Sequence, residues 1–148
     1  MRAKDIMSAD PVCVTPRDTI ERAAQQMADC DCGILPVIDD ADSRRVVGVV
    51  TDRDIAVRAV ARGMGPAAKV SEVMTSAVLT CPADADIADI EQTMSDRQVR
   101  RVVIVDDDLC CVGIVSQADI ARSADEDEVG RVIERISEPR TSSPPPAA

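Results

Sequence analysis

The chain repeats itself, and that duplication constrains its fold more than any other feature. Asp5-Ile6-Met7 returns as Glu72-Val73-Met74, and Pro11-Val12-Cys13-Val14-Thr15-Pro16 returns as Ala77-Val78-Leu79-Thr80-Cys81-Pro82. The stretch from Ile20 to Met27 recurs from Ile87 to Met94, and Leu35-Pro36-Val37-Ile38-Asp39-Asp40 matches Val102-Val103-Ile104-Val105-Asp106-Asp107. Gly48-Val49-Val50-Thr51-Asp52-Arg53-Asp54-Ile55-Ala56 matches Gly113-Ile114-Val115-Ser116-Gln117-Ala118-Asp119-Ile120-Ala121, at a separation of about 65–67 residues throughout. A unit of roughly 60 residues buries too little apolar surface to be comfortable alone. Two copies must therefore share their burial, and packing sheet to sheet creates a cleft between them.

Each copy reads as strand, helix, strand, strand, helix, which makes the fold class α/β (α+β). Val12–Val14 is a short apolar strand leaving through the turn signal Thr15-Pro16. Asp18-x-x-Glu21 is a capping pattern before a helix whose apolar positions Ile20, Ala23, Ala24 and Met27 keep helical spacing. Ile34–Ile38 and Val46–Val50 are β-branched runs too short for helices, joined by a polar loop, so a hairpin is expected. A second helix starts near Asp52 and runs to about Ala61. The boundaries expected are 1–61 for the first repeat, 62–70 for a linker and 71–124 for the second repeat. A C-terminal helix follows over 125–137, opened by Asp125-Glu126-Asp127-Glu128, whose charges suit a first turn. The Pro-rich tail over 138–148 cannot bury a core and is expected to be disordered.

Composition removes several functions. The chain has no histidine, so neither a His base nor a His-ligated metal is available. It carries 17 basic against 27 acidic side chains, a net charge of −10, and no Phe, Tyr or Trp. Such a chain lacks both the basic field that collects phosphates and the rings that stack on bases, so no nucleic-acid partner is expected. No apolar run approaches the roughly 18 residues of a membrane span, and the N-terminus shows no secretory h-region. A cytoplasmic location without membrane attachment is expected. No nucleophile sits with a base and an orienting group, so the chain reads as a non-enzyme.

Six cysteines remain. Cys13, Cys81 and Cys111 lie in apolar runs, where free cysteine behaves as a small buried hydrophobe. A cytosolic chain keeps its thiols reduced. Cys30, Cys32, Cys110 and Cys111 would be the set for a zinc or redox sensor, although neither pair has the usual structural-zinc spacing. No metal site is expected.

The sharpest motif is Gly-h-h-Thr/Ser-x-x-Asp (h, apolar), found twice between a strand and a helix. Thr51-x-x-Asp54 and Ser116-x-x-Asp119 both fit a capping box. Capping explains neither the glycine three residues ahead nor the strand feeding the turn. The same geometry presents a hydroxyl and a carboxylate to the cleft, and a carboxylate accepts two hydrogen bonds from a vicinal diol such as ribose. Hydrogen bonds to charged groups contribute roughly 1.5–3 kcal/mol.

These two motifs, together with Leu35-Pro36-Val37-Ile38-Asp39 and Gln98-Val99-Arg100-Arg101-Val102-Val103-Ile104-Val105-Asp106, resemble a tandem pair of CBS domains (a Bateman module) from about residue 3 to 124. Thr51-Asp52-Arg53-Asp54-Ile55 is similar to small stand-alone bacterial members, hypoxia-response-type proteins among them. The resemblance implies sheets stacked about a pseudo-twofold axis, a homodimer of pairs, and regulatory binding of an adenosine-containing ligand. AMP, ADP, ATP or S-adenosylmethionine are the candidates, none as an obligatory cofactor.

Carried over by position, the resemblance pairs Thr51 and Asp54, holding ribose, with Arg100 and Arg101, holding phosphate. Val78, Val99 and Val103 form an adenine slot, and Arg53 adds a second cation. The related cleft pairs Ser116 and Asp119 with Val12, Gly33, Ile34 and Pro36 and has no cation. The first cleft is thus expected to favour a phosphorylated nucleotide, and the second to stay empty or take a less charged ligand. Arg100 and Arg101 also read as a solvated basic edge paired with Asp96 or Asp106–Asp108. The alternatives to nucleotide sensing are a thiol-based redox or metal sensor and a ligand-free dimerisation module.

Overall fold

β-Branched runs become strands and helix-spaced runs become helices in a computed structural model that describes residues 1–123 and residue 136. In chain order these are α1 (Ala3–Ile6), β1 (Ser8–Ala9), α2 (Ile20–Cys30), β2 (Ile34–Ile38), β3 (Val46–Thr51), α3 (Asp52–Asp54), β4 (Thr80–Pro82), α4 (Ile87–Arg97), β5 (Arg101–Val105), β6 (Cys111–Ser116) and α5 (Gln117–Ser123). Mixed α/β architecture is therefore realised. Among the described residues no helix is long and apolar enough to cross a membrane.

One sheet has the strand order β1-β6-β5-β4. The β5–β6 hairpin is antiparallel, β4 lies parallel to β5, and β1 antiparallel to β6. The other sheet is the β2–β3 hairpin, flanked by single bridges: Val14 parallel to Val37 and Thr75 antiparallel to Val49. Both sheets thus have one order, and even the irregularity recurs, between Val37 and Ile38 and between Ile104 and Val105. The strand expected over Val12–Val14 shrinks to the Val14 bridge. Pro11 and Pro16 have no N–H to extend a ladder, leaving Val14 N–H on Pro36 O (3.1 Å) and Ile38 N–H on Val14 O (2.8 Å).

Capping differs from expectation by one residue. Thr19, not Asp18, caps α2 by accepting from Arg22 N (3.1 Å), while the Asp18 carboxylate accepts from Thr15 N (2.8 Å) and closes the turn before it. The helix after β3 does run past Ala61, but α3 loosens into a π turn over Ile55–Ala59 and tightens into a 3₁₀ turn over Val60–Arg62. It stops at Gly63, whose φ of 75° suits glycine.

The two halves exchange their lead segments. Residues from α1 to β1 dock on the second half: Ala3 N donates to Ala85 O (2.9 Å), Lys4 N to Ala83 O (2.9 Å), and Ala3 packs with Ile90, Met94, Ile104 and Ile120. Conversely, Val70 and Val73 are fully buried with Ile20, Leu35 and Val50 of the first half. The motif glycines make these crossings possible. A Cβ on Gly48 would stand 2.7 Å from Thr75 O, and one on Gly113 would collide with Met7 Sδ. The glycine that capping could not explain is thus there to let the other half's lead segment pass.

A third apolar cluster joins the sheets: Ile38, Val103, Val105 and Cys111, with Cys13, Val46, Val49 and Val78 against them. Each aliphatic side chain buried this way is worth roughly 1.5–3 kcal/mol. Backbone bonds tie the same seam, from Val46 N to Leu109 O (3.0 Å) and from Cys111 N to Arg44 O (2.9 Å). Of the expected C-terminal helix and tail, only Ile136 lies among the described residues. It is helical and buried against the second half's core.

Candidate functional site

Both hooks form as capping boxes. Thr51 Oγ1 accepts from Asp54 N (3.0 Å) and Asp54 Oδ2 accepts from Thr51 N (3.0 Å). In the second half, Ser116 Oγ accepts from Asp119 N (3.1 Å), and Asp119 Oδ2 accepts from Ser116 N (2.8 Å) and Ser116 Oγ (2.9 Å). Each cap uses Oδ2 and leaves Oδ1 for something else. Capping and ligand binding are therefore compatible in one carboxylate.

The hooks differ in what meets Oδ1. Arg58 Nε lies 3.7 Å from Asp54 Oδ1, and Arg58 Nη1 donates to Val73 O and Met74 O (3.4 Å each). One guanidinium thus spans the first hook and the exchanged segment. The corresponding position in the second half is Ser123, whose hydroxyl turns back onto Asp119 O and Ile120 O (3.1 Å each). Asp119 Oδ1 is met instead by Arg122, whose side chain is 71% exposed, while Asp119 itself is only 7% exposed.

A cavity of about 620 Å³ opens at this second hook. Ser116, Gln117, Ala118, Asp119 and Ala121 form one wall, and Ser8, Pro11, Val12 and Ile114 another. Cys30, Asp31, Cys32, Gly33, Ile34 and Leu35 come from the end of α2 and the start of β2, and Arg100 and Arg101 from the start of β5. Of the residues predicted from sequence, Val12, Gly33, Ile34, Arg100, Arg101, Ser116 and Asp119 meet here. Thr51, Arg53, Asp54, Val78, Val99, Val103 and Pro36 do not line it.

The cation pairing differs from expectation. Arg100 and Arg101 line the cavity of Ser116 and Asp119, the one expected to lack a cation. The cause is hairpin register: Arg101 pairs with Ser116, and Gln117 N donates to Arg100 O (2.8 Å). Asp52 N donates likewise to Gly33 O (3.0 Å), so Gly33-Ile34 and Arg100-Arg101 are equivalent pairs that face one hollow. Neither arginine forms an ion pair with a described carboxylate, so the basic-edge pairing with Asp96 or Asp106–Asp108 is absent among the described residues. Val103 and Pro36 are buried, Val103 in the seam between the sheets. Arg53 is exposed, its N–H on Asp52 Oδ1 (2.8 Å).

Ser8, Pro11, Asp31, Leu35, Ile114, Gln117, Ala118 and Ala121 also line the cavity and carried no sequence signal for it, and Cys30 and Cys32 were expected only as members of a thiol or metal sensor. What brings Ser8 here is the exchange itself, which a linear reading of the repeats does not display. The cysteine expectations also change. Cys30 and Cys32 are joined in a disulfide, not left as thiols. Asp31, in the left-handed region at φ 52°, turns the chain so that their Cα atoms are 5.4 Å apart. Cys110 donates to Ser43 O (2.9 Å) and Cys111 faces Cys13 across the seam, so the four sulfurs of the supposed sensor do not converge. Among the described residues no group of three or more Cys, Asp or Glu is placed to hold a metal ion.

The family model for the CBS domain matches residues 3–60 and 70–126. Hypoxic response protein 1 of Mycobacterium tuberculosis is 37% identical over 138 residues, 93% of this chain and 94% of its own length. CBS domain-containing protein YhcV of Bacillus subtilis is 34% identical over 135 residues, 90% and 94% of the two chains. Among solved structures, Hypoxic Response Protein I with two coordinated zinc ions superposes with a TM-score of 0.74, covering 84% of this chain and 100% of that one. The CBS domain pair of protein MJ0100, in complex with 5′-methylthioadenosine and S-adenosyl-L-methionine, is 30% identical with a TM-score of 0.74, covering 83% and 94%.

Proposed function

The chain belongs to the CBS-domain family as a tandem pair, and from that premise we propose that it is a non-catalytic regulatory module sensing an adenosine-containing ligand in the cavity of Asp119. The observation that carries this reading is a buried carboxylate, Asp119, in a hollow of about 620 Å³ with two arginines on its rim. The MJ0100 pair, with its two adenosine-containing ligands, supports the ligand class.

In this reading the ribose diol donates to Asp119 Oδ1 and displaces the solvent-exposed Arg122. Val12, Ile34 and Ile114 supply aliphatic contact for adenine, because no ring is present to stack on it. Arg100 and Arg101 take a phosphate where the ligand has one, which favours AMP, ADP or ATP over S-adenosylmethionine. A ligand regulates only by binding two states unequally. The cavity walls come from both halves, so their relative position is the state that binding biases. We extend the proposal to a homodimer of pairs in the cytoplasm acting on a separate partner; sedimentation of the purified chain tests the dimer.

Thermal shift with AMP, ADP, ATP, S-adenosylmethionine and 5′-methylthioadenosine tests the ligand. At 100 times its dissociation constant a ligand stabilises by about 2.7 kcal/mol, or roughly 5–10 °C for a chain of this size. Asp119→Asn, which keeps an acceptor for the cap, should remove the shift, and Asp54→Asn should leave it. Substituting Arg100 and Arg101 by Ala should weaken nucleotides about tenfold and spare 5′-methylthioadenosine. No shift with any of these at millimolar concentration overturns the reading.

One observation favours a second reading, thiol–disulfide chemistry: the Cys30–Cys32 disulfide forms part of the same cavity wall. Equal ligand affinity before and after reduction would leave the disulfide structural only.

A further inference from the structure

The seam between the halves holds two cysteines that play no part in the cavity. Cys111 is 2% exposed on β6, and Cys13, partly exposed, leads into the Val14 bridge. Cys13 packs against the apolar cluster that contains Cys111, which brings the two thiols together although the residues come from opposite halves. The Cys13 thiol donates to Pro11 O (3.3 Å) and the Cys111 thiol to Gly113 O (4.0 Å). Arg44 holds both. Its carbonyl accepts from Cys111 N (2.9 Å), and its Nη2 lies 3.8 Å from Cys13 Sγ. Its backbone is fixed at φ 54°, with Arg44 N donating to Asp40 O (3.0 Å).

We propose that Cys13 and Cys111 are a hydroperoxide-reactive thiol pair, Cys13 the attacking sulfur and Cys111 the resolving one, which oxidises to a disulfide across the seam. Placement distinguishes the roles. A guanidinium beside a partly exposed sulfur stabilises its thiolate, whereas a buried thiol in an apolar cluster stays protonated. The direction of each ionisation agrees: the neighbouring Cys111 thiol, with Arg44, holds Cys13 below the ordinary thiol range against the opposing effect of burial. Cys111 is pushed well above it, first by the neighbouring Cys13 sulfur and then by burial.

The chemistry proceeds in two steps. The Cys13 thiolate attacks the outer oxygen of a hydroperoxide; the O–O bond breaks, an S–O bond forms, and the other oxygen leaves, protonated, as an alcohol or as water. Cys111 sulfur then displaces the hydroxyl of the Cys13 sulfenic acid. An S–S bond forms, the S–O bond breaks, and the Cys111 proton departs with the hydroxyl as water. Two electrons pass from the thiols to the peroxide. The product ties the approach to the first half's sheet to a strand of the second, fixing the relation of the halves.

The test uses the full chain with Cys110→Ser, so that neighbouring cysteines are not confused. It is treated with about one equivalent of hydrogen peroxide, alkylated and mapped by mass spectrometry without reduction. The expected product is a peptide containing Cys13 linked to one containing Cys111. With Cys111→Ser added, dimedone should accumulate on Cys13. With Arg44→Met instead, Cys13 oxidation should slow roughly three- to tenfold. Circular dichroism confirms that each variant folds, and Cys13→Ser, leaving Cys111 unoxidised, supports the assigned order where Cys111→Ser does not fold. Both thiols still alkylating after peroxide, Cys111 oxidising while Cys13 is spared, or an unchanged rate in Arg44→Met would each overturn the proposal. None of these readouts depends on a ligand in the Asp119 cavity.

Discussion

Gly48 and Gly113 occupy equivalent positions, yet a methyl group there would meet different obstacles. Gly48 faces the carbonyl oxygen of Thr75, part of a bridged backbone, whereas Gly113 faces the Met7 side chain from its sulfur down to Cγ (2.9 Å) and Cβ (3.1 Å), which rotation of the side chain does not clear. Gly48→Ala and Gly113→Ala should therefore each cost about 1–3 kcal/mol, read as urea midpoints followed by circular dichroism. The thiols separate by environment. Cys13 is held low by the neighbouring Cys111 thiol and by Arg44, while burial and then the nearby Asp89 carboxylate raise Cys81. Since only the thiolate alkylates, the iodoacetamide rate at Cys13 should rise at lower pH than at Cys81. Coincident profiles would contradict that order.

At the scale of elements, the two hooks are one design with different covers. Arg58 lies across the first, whereas in the second Ser123 stands in that place and Asp119 Oδ1 is met by Arg122, whose side chain is largely exposed. Arg58→Ser should uncover Asp54 Oδ1, and calorimetry with 5′-methylthioadenosine would register a second binding event that the unsubstituted chain lacks. The hairpins, the helices from Ile20 and Ile87, and the caps at Thr51 and Ser116 were legible in the sequence because each rests on a local signal: β-branched runs at 34–38 and 46–50, helical spacing, and a hydroxyl three residues ahead of an aspartate. The cap of α2 was not, since Asp18 and Thr19 are both capping residues and only the turn closed by Asp18 assigns the cap to Thr19. The partnership of Arg100 and Arg101 was not, since it depends on the register that sets Arg101 opposite Ser116. Nor was the strand loss at Val12, where two flanking prolines outweighed an apolar run. The Cys30–Cys32 link required Asp31 to adopt a left-handed turn, which an aspartate tolerates but does not announce.

Across the whole molecule, the two apolar cores each include residues from the far side of the linker. Ala3 completes one, and Val70 and Val73 complete the other. The duplicated units visible in the sequence are therefore not the units that pack. A short lead segment carries no mark of which half it will cover, and only the crossing glycines betray it. Cutting the chain once, at a protease site inserted between Gly63 and Met64, where a Cβ on Gly63 would meet nothing within 4 Å, tests this directly. The two pieces should travel together on gel filtration and come apart only in denaturant; separation under native conditions would contradict the exchange. Each fragment then serves as the missing clasp of the other, so a severed molecule stays whole for the reason that two intertwined hands do not part when the arms are freed.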